Sequence, residues 1–344
     1  MTLDQQTLAL VWFAILGLLL SGYAILDGFD LGVGILQPFL PRDEPQRRLA
    51  INTIGPLWDG NEVWLVTFGG AMFAAFPNAY ASVFSGFYTP FMALLFALVL
   101  RAVSMEFRGK AAHATWRRLW DGCFFAGSFL ASLLFGVAVG NVLRGIPLDA
   151  RGDFTGSLAD LLNPYALLVG LLVVALFAMH GAIYLHLRTE GDLQRRAEGW
   201  MWRTFGLFLL LFMLTTMVTL VVVPRAAAHF ENNPMLWLVP VVNVFAIANI
   251  PRALYHRSPA QAFASSSITI LALVVLLGAA LFPNLLHSLP EPENSLTIFN
   301  AASSPRTLKI MLLVAAIGMP LVLAYTGTIY WTFRGKVKLD EHSY

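Results

Sequence analysis

Charge is scarce in this chain. Only 12% of its 344 residues are Asp, Glu, Lys or Arg, against about 25% in a soluble domain, while 58% are hydrophobic. Such a chain has too little polar surface to cover itself in water, so a lipid bilayer is its expected solvent. Cysteine is nearly absent as well. Cys123 stands alone, which excludes an internal disulfide, a CxxC zinc site and a CxxCH haem attachment. Lys and Arg are missing from Met1 to Leu8, so the charged start of a cleavable signal peptide is lacking. The first apolar segment is therefore expected to persist as a helix. Net charge is a near-neutral +2, with no basic patch interleaved with exposed aromatics, so nucleic acid is not an expected partner.

Long apolar runs separated by short polar loops are abundant instead. They predict an all-α polytopic membrane protein of about nine transmembrane helices. The expected spans are residues 8–36, 54–76, 79–104, 119–143, 164–187, 204–223, 235–250, 263–283 and 308–333. The seventh is the weakest, being short and holding Pro240, Asn243 and Asn249. No soluble domain interrupts the series, so residues 1–344 form one transmembrane domain. Within it, residues 8–143 and 164–283 read as two four-helix units, with the helix at 308–333 appended. Arg47-Arg48 and Arg195-Arg196, each following the first span of a unit, give the only hint of a repeat.

The cations divide unevenly between the two sets of loops. Seventeen of the 22 Lys and Arg follow spans one, three, five, seven and nine, counting Arg101 at the end of span three. The positive-inside rule then places the N-terminus outside and the C-terminus in the cytoplasm, which needs an odd number of crossings.

Two neighbouring segments concentrate the carboxylates. Asp27 and Asp30 fall in the cytoplasmic half of the first span, and Asp59 and Glu62 at the cytoplasmic start of the second. Each pair is spaced i, i+3 and shares a helix face. A carboxylate at mid-bilayer costs about 2.5–3.5 kcal/mol, so four at similar depth must face protein or water and be paired or partly protonated. Two readings stay open: cross-helix hydrogen bonding that holds the bundle together, and proton transfer. Gly28 and Gly32, four residues apart, invite close approach of another helix. Arg101 and Glu106, near the end of the third span, are expected to form a salt bridge or to snorkel to headgroups.

Histidine is the natural haem ligand in a helical bundle, and only His180 lies clearly inside a span. It has no facing histidine at matching depth. It is expected to be a hydrogen-bonded core residue, with no haem held by this chain's own side chains and no metal site. The 26 Phe, 9 Trp and 9 Tyr fit a quinone pocket or a gas route, and equally lipid-facing surface and interfacial belts.

The acidic segments also carry a resemblance. Asp27-Gly28-Phe29-Asp30-Leu31-Gly32-Val33-Gly34 and Trp58-Asp59-Gly60-Asn61-Glu62-Val63-Trp64 resemble the signature segments of subunit II of cytochrome bd-type ubiquinol oxidases, a family that includes the cyanide-insensitive branch. The stretch from Gly69 to Pro77, the run Ser85-Gly86-Phe87-Tyr88, the pair Gly140-Asn141 and the stretch from Ser295 to Ser304 resemble it too. The loop from Pro224 to Pro234 is shorter than in the longest members.

The resemblance implies two four-helix bundles with a peripheral ninth helix, in a heterodimer with a subunit I that carries haems b558, b595 and d. A small single-helix accessory subunit is compatible with it. It implies a complex in the bacterial cytoplasmic (inner) membrane that passes electrons from quinol to oxygen, with protons drawn from the cytoplasm. By the same resemblance Asp59 matches a proton-route carboxylate, and Asp30 matches the second acid of its segment. Glu62 and Asp27 are placed on the same candidate route, with Trp58, Asn61 and Trp64 flanking it. Glu62 falls where some members carry Gln. A proton-coupled transporter is the rival reading, although no Gly/Pro-interrupted cluster in span five answers the one in span one. A membrane scaffold without a catalytic path is the third.

Overall fold

The computed structural model describes residues 4–111 and 113–339. Their α-helices are, in order, α1 (Gln5–Leu36), α2 (Glu44–Ile54), α3 (Trp58–Ala75), α4 (Pro77–Gly86), α5 (Tyr88–Arg108), α6 (Ala114–Arg144) and α7 (Leu158–Leu161). There follow α8 (Pro164–Arg188), α9 (Gly191–Val222), α10 (Ala228–Asn232), α11 (Leu238–Tyr255), α12 (Pro259–Leu281) and α13 (Pro305–Thr332). Local chemistry sets several of the ends. Asp4 accepts from the Thr7 amide at 2.8 Å to start α1, and Asn163 accepts from the Ala166 amide at 2.9 Å ahead of Pro164 to start α8. Both are side-chain caps for otherwise unpaired amides. Gly145, at φ +99°, ends α6 in a conformation that a side chain would strain.

Among the described residues, eight helices are long and apolar enough to cross a membrane: α1, α5, α6, α8, α9, α12, α13, and α11 with the 3-10 turn before it. The weak seventh span is thus one of them, with Pro251 inside its helix. The remaining expected span, 54–76, corresponds to α3. It starts at Trp58, after the Gly55-Pro56 turn, and its first turns hold Asp59, Asn61 and Glu62, which lower its apolar character. The third expected span is not continuous: the buried Phe87 divides it into α4 and α5. The sixth begins earlier than expected, because α9 takes Arg195, Arg196 and Arg203 into its first turns.

Helices α1 and α8 form the centre. The first packs on α3, α6, α8 and α12, and the second on α6, α9 and α12, while α5 lies on α6 and α11 on α12. Glycine makes the α1–α8 contact so close. A Cβ on Gly32 would sit 1.9 Å from the Phe177 carbonyl oxygen, and one on Gly181 2.4 Å from the Gly32 carbonyl carbon. Lipid provides no hydrophobic drive between helices, so such backbone approach and van der Waals packing hold the bundle. Outward faces are apolar: Val66, Val221 and Phe245 are each more than 70% exposed. Patches of this kind belong against lipid or another protein. Helix α13 has one buried residue, Leu308, and packs mainly on α3 and α1.

Loops at one end of the bundle pack together. A two-stranded antiparallel pair, β1 (Asn284–Leu286) and β2 (Leu296–Thr297), joins the loop after α6, where the Ile146 amide donates to His287 O at 3.0 Å. At the opposite end α2 is clamped by charge. Arg108 pairs with Asp121 at 2.6 Å and with Glu44 at 2.9 Å, and Arg47 reaches Asp121 at 2.9 Å.

Candidate functional site: a buried arginine among carboxyl groups

The first helix carries Asp27 and Asp30, both fully buried, on the side that faces α3 and α5. Burial of two acids one turn apart requires partners from other helices, and each has a different one. Arg101, fully buried on α5, donates to Asp27 Oδ1 at 2.7 Å. The same guanidinium donates through its other terminal nitrogen to Glu62 of α3. Asp30 instead accepts from Asn61 Nδ2 at 2.8 Å. Asn61 also donates to Leu26 O at 3.3 Å and accepts from the Tyr330 hydroxyl of α13 at 3.0 Å. Four helices thereby converge on one polar cluster.

Arg101 is seated by packing as well as charge. A Cβ on Gly127 of α6 would lie 2.6 Å from Ala97 O and 2.9 Å from Arg101 N, so α5 and α6 approach closely at this level. The planar guanidinium can meet two carboxylates at once, which an ammonium point charge does less well. Two of the cluster's three carboxyl groups, Asp27 and Glu62, share this single cation, while Asp30 relies on Asn61. Glu62 is the carboxyl of the cluster with access to the surface, its side chain being 27% exposed. Four buried polar atoms of the cluster, Tyr23 Oη, Asp27 Oδ2, Asp30 Oδ1 and Arg101 Nε, have no hydrogen-bond partner among the described residues.

The structure brings together Asp27, Asp30, Asn61 and Glu62, and leaves Asp59 apart. Asp59 is exposed in the first turn of α3, and no hydrogen bond or ion pair among the described residues joins it to the cluster. The shared face expected for Asp59 and Glu62 is therefore a boundary, with the first acid outside and the second half inside. Trp64 is 8% exposed, and its ring lies over Gly22, where a Cβ would meet it at 2.2 Å. Trp58 is half-buried against the main core.

Arg101 takes the salt-bridge alternative rather than snorkelling: it is wholly enclosed and paired to acids on α1 and α3. A signal for this was present. Arg101 is the lone cation inside the third apolar run, while the first two spans hold an excess of acid. Tyr330, 269 residues from Asn61, had no such signal.

His180 is also fully buried, and both ring nitrogens are engaged. Nδ1 lies 2.7 Å from Ser266 Oγ and Nε2 3.1 Å from Ile25 O. Its ring stacks on Phe263 at 4.8 Å. It is a bridge between α1, α8 and α12. Among the described residues no group of three or more His, Cys, Asp and Glu is arranged to hold a metal ion.

Fold and site together define an all-helical polytopic membrane protein whose helices enclose a shared cluster of ionisable groups. Comparison with known proteins narrows this. The family model for cytochrome bd terminal oxidase subunit II matches residues 8–333. Cytochrome bd-I ubiquinol oxidase subunit 2 of Escherichia coli (strain K12) is 36% identical, with 98% of this chain and 97% of that one covered. Cytochrome bd ubiquinol oxidase subunit 2 of Bacillus subtilis (strain 168) is 35% identical, with 96% and 97% covered. The structure of bd oxidase from Geobacillus thermodenitrificans contains a chain that superposes with a TM-score of 0.75 over 95% of this chain and 98% of that one. At 18% identity this likeness concerns the fold.

The chain belongs to the cytochrome bd terminal oxidase subunit II family. It is a subunit of a terminal quinol oxidase, an oxidoreductase complex, and the transporter reading gives way.

Proposed function

We propose that this subunit buttresses a haem-bearing subunit I in the bacterial inner membrane and lines a proton route that begins at the cytoplasmic side. One observation carries the reading. A buried cluster of three carboxyl groups around one arginine opens to the surface through Glu62, with the exposed Asp59 one turn away. Because the carboxyl groups outnumber the cation, a proton is the natural counter-charge for those left over, and a site that holds an exchangeable proton can pass it on. The orphan atoms of Tyr23, Asp27, Asp30 and Arg101 support a hydrated interior, since each would cost about 1–3 kcal/mol if left dry.

Haems b558, b595 and d, held by subunit I, would supply the electron path from quinol to oxygen. The engagement of both His180 nitrogens supports their ligation by the partner rather than by this chain. Here Asp59 gathers protons at the surface, Glu62 takes them inward, and Asp27 and Asp30 hold them beside Arg101.

Quinol-driven oxygen uptake by the purified complex, with haem content checked in each variant, tests the route. Asp59→Asn and Asp30→Asn keep side-chain shape but cannot carry a proton. Uptake should fall tenfold or more, equivalent to about 1.4 kcal/mol of barrier. A side chain that merely bridges helices would tolerate the amide at a cost of about 1 kcal/mol or less. Full uptake in both variants at normal haem content removes the proton role.

A further inference from the structure

Asn61 is 1% exposed, and both of its side-chain polar atoms are engaged. Its two N–H groups go to Asp30 Oδ2 and Leu26 O, and its carbonyl oxygen accepts from Tyr330. An amide does not relay protons as a carboxyl or a water does, so the line from Tyr330 through Asn61 to Asp30 is not a wire. It fixes geometry. The Tyr330 hydroxyl satisfies the one Asn61 atom that faces away from Asp30. Without it a buried acceptor is orphaned, and the amide is drawn from Asp30 toward whatever donor it can find.

Tyr330 comes from α13, the least buried of the long helices. That helix is pinned near its start, where Trp12 Nε1 donates to Leu308 O at 3.1 Å. Just beyond Tyr330 it is clamped again. Arg188, at the end of α8, donates to Phe333 O, and the Val337 amide donates to Arg188 O at 2.9 Å. Lys336 Nζ donates to Thr189 O at 2.8 Å and to His186 O at 3.3 Å, where the last carbonyls of α8 favour a cation. Four hydrogen bonds within seven residues of Tyr330 thus fasten the end of an otherwise little-buried helix.

We infer that Tyr330 is a positioning residue for Asp30, holding the Asn61 amide against the Asp30 carboxyl, and that the clamp of residues 333–337 on the end of α8 holds Tyr330 in place. The inference rests on the proton-route reading only for its effect on turnover; the geometry stands apart from it.

The test uses the purified oxidase complex. The infrared band of the Asp30 side chain is assigned by its loss in Asp30→Asn, and oxygen uptake is measured alongside. Tyr330→Phe, which removes one oxygen, should shift that band and lower uptake about fivefold. Adding Tyr330→Phe to Asn61→Ala should lower uptake no further than Asn61→Ala alone, because the tyrosine acts through the amide. Lys336→Ala should shift the band in the same direction by less. An unshifted band in Tyr330→Phe, or losses that multiply in the double variant, overturns the inference. If Tyr330→Phe yields no complex, Lys336→Ala decides, and an unshifted band there overturns it. Normal uptake in Asp30→Asn would sink the proton route instead, and the band shift would still decide the positioning.

Discussion

Arg101 is the residue on which the buried cluster turns. Removing one partner from an enclosed ion pair leaves the other charges without compensation, at a cost of about 3–5 kcal/mol. Arg101→Met should therefore nearly abolish assembled complex, because Asp27 and Glu62 both lose their cation. Arg101→Lys keeps the charge but not the fork that reaches two carboxylates, and should give an intermediate yield. Asp27→Asn placed in the Arg101→Met background should restore part of the loss, since it removes one uncompensated charge. The yield of spectrally intact complex per milligram of membrane protein measures all three. If Arg101→Met assembles normally, the pair does not hold the helices together. The acids themselves were legible in the sequence, because charge inside an apolar run has few explanations. Their partners were not. Arg101 lies 74 residues from Asp27, and helix spacing says which side chains share a face but not what that face meets. For the same reason the exposure of Asp59 could not be read from its spacing to Glu62.

Most of the helices were legible from their apolar runs, and the departures have local causes. The second expected span starts late because Gly55-Pro56 turns the chain, and the third divides at Phe87, which is buried in a cluster with Ile146, Leu148, Leu161 and Leu286. Gly28 and Gly32 were read as a place for close approach, and α8 fills it: Cβ atoms at these positions would meet the Phe177 ring and backbone. What the sequence did not disclose was the reciprocal glycine, Gly181, 149 positions beyond Gly32. Backbone facing backbone leaves no flexible side chain to yield. Gly181→Ala should therefore destabilise the complex by about 1–3 kcal/mol through overpacking. Gly206→Ala in α9, where an added Cβ meets nothing, should not. Thermal unfolding of the purified complex separates them. Equal melting temperatures would mean that α1 and α8 part easily at this level.

At the scale of the whole molecule, the question is which end faces the cytoplasm. The cation bias divides the loops into two sets, and the bonding divides them in the same way. Arg47 and Arg108 meet on Asp121, Arg196 donates to Phe39 O at 3.1 Å, and Lys336 reaches Thr189 O, so the loops after spans one, three and five and the final tail share one end. At the other end Arg225 donates to Leu143 O, and the loop after α6 pairs with the segment after α12. The terminal residues themselves, 1–3 and 340–344, lie outside the described residues. Two ends so different in cation content should not be inserted either way round, because cation-rich short loops are retained in the cytoplasm. Reporter fusions after Arg196 and after Lys338 should therefore report the cytoplasm, and one after Asp153 the periplasm. The Asp153 fusion is the sharpest of the three, because its loop carries only Arg144 and Arg151 and lies one helix, α8, away from the cation-rich end. A cytoplasmic signal there would invert the molecule, put Glu62 and Asp59 on the outer side, and turn the proposed intake of protons into a path for their release.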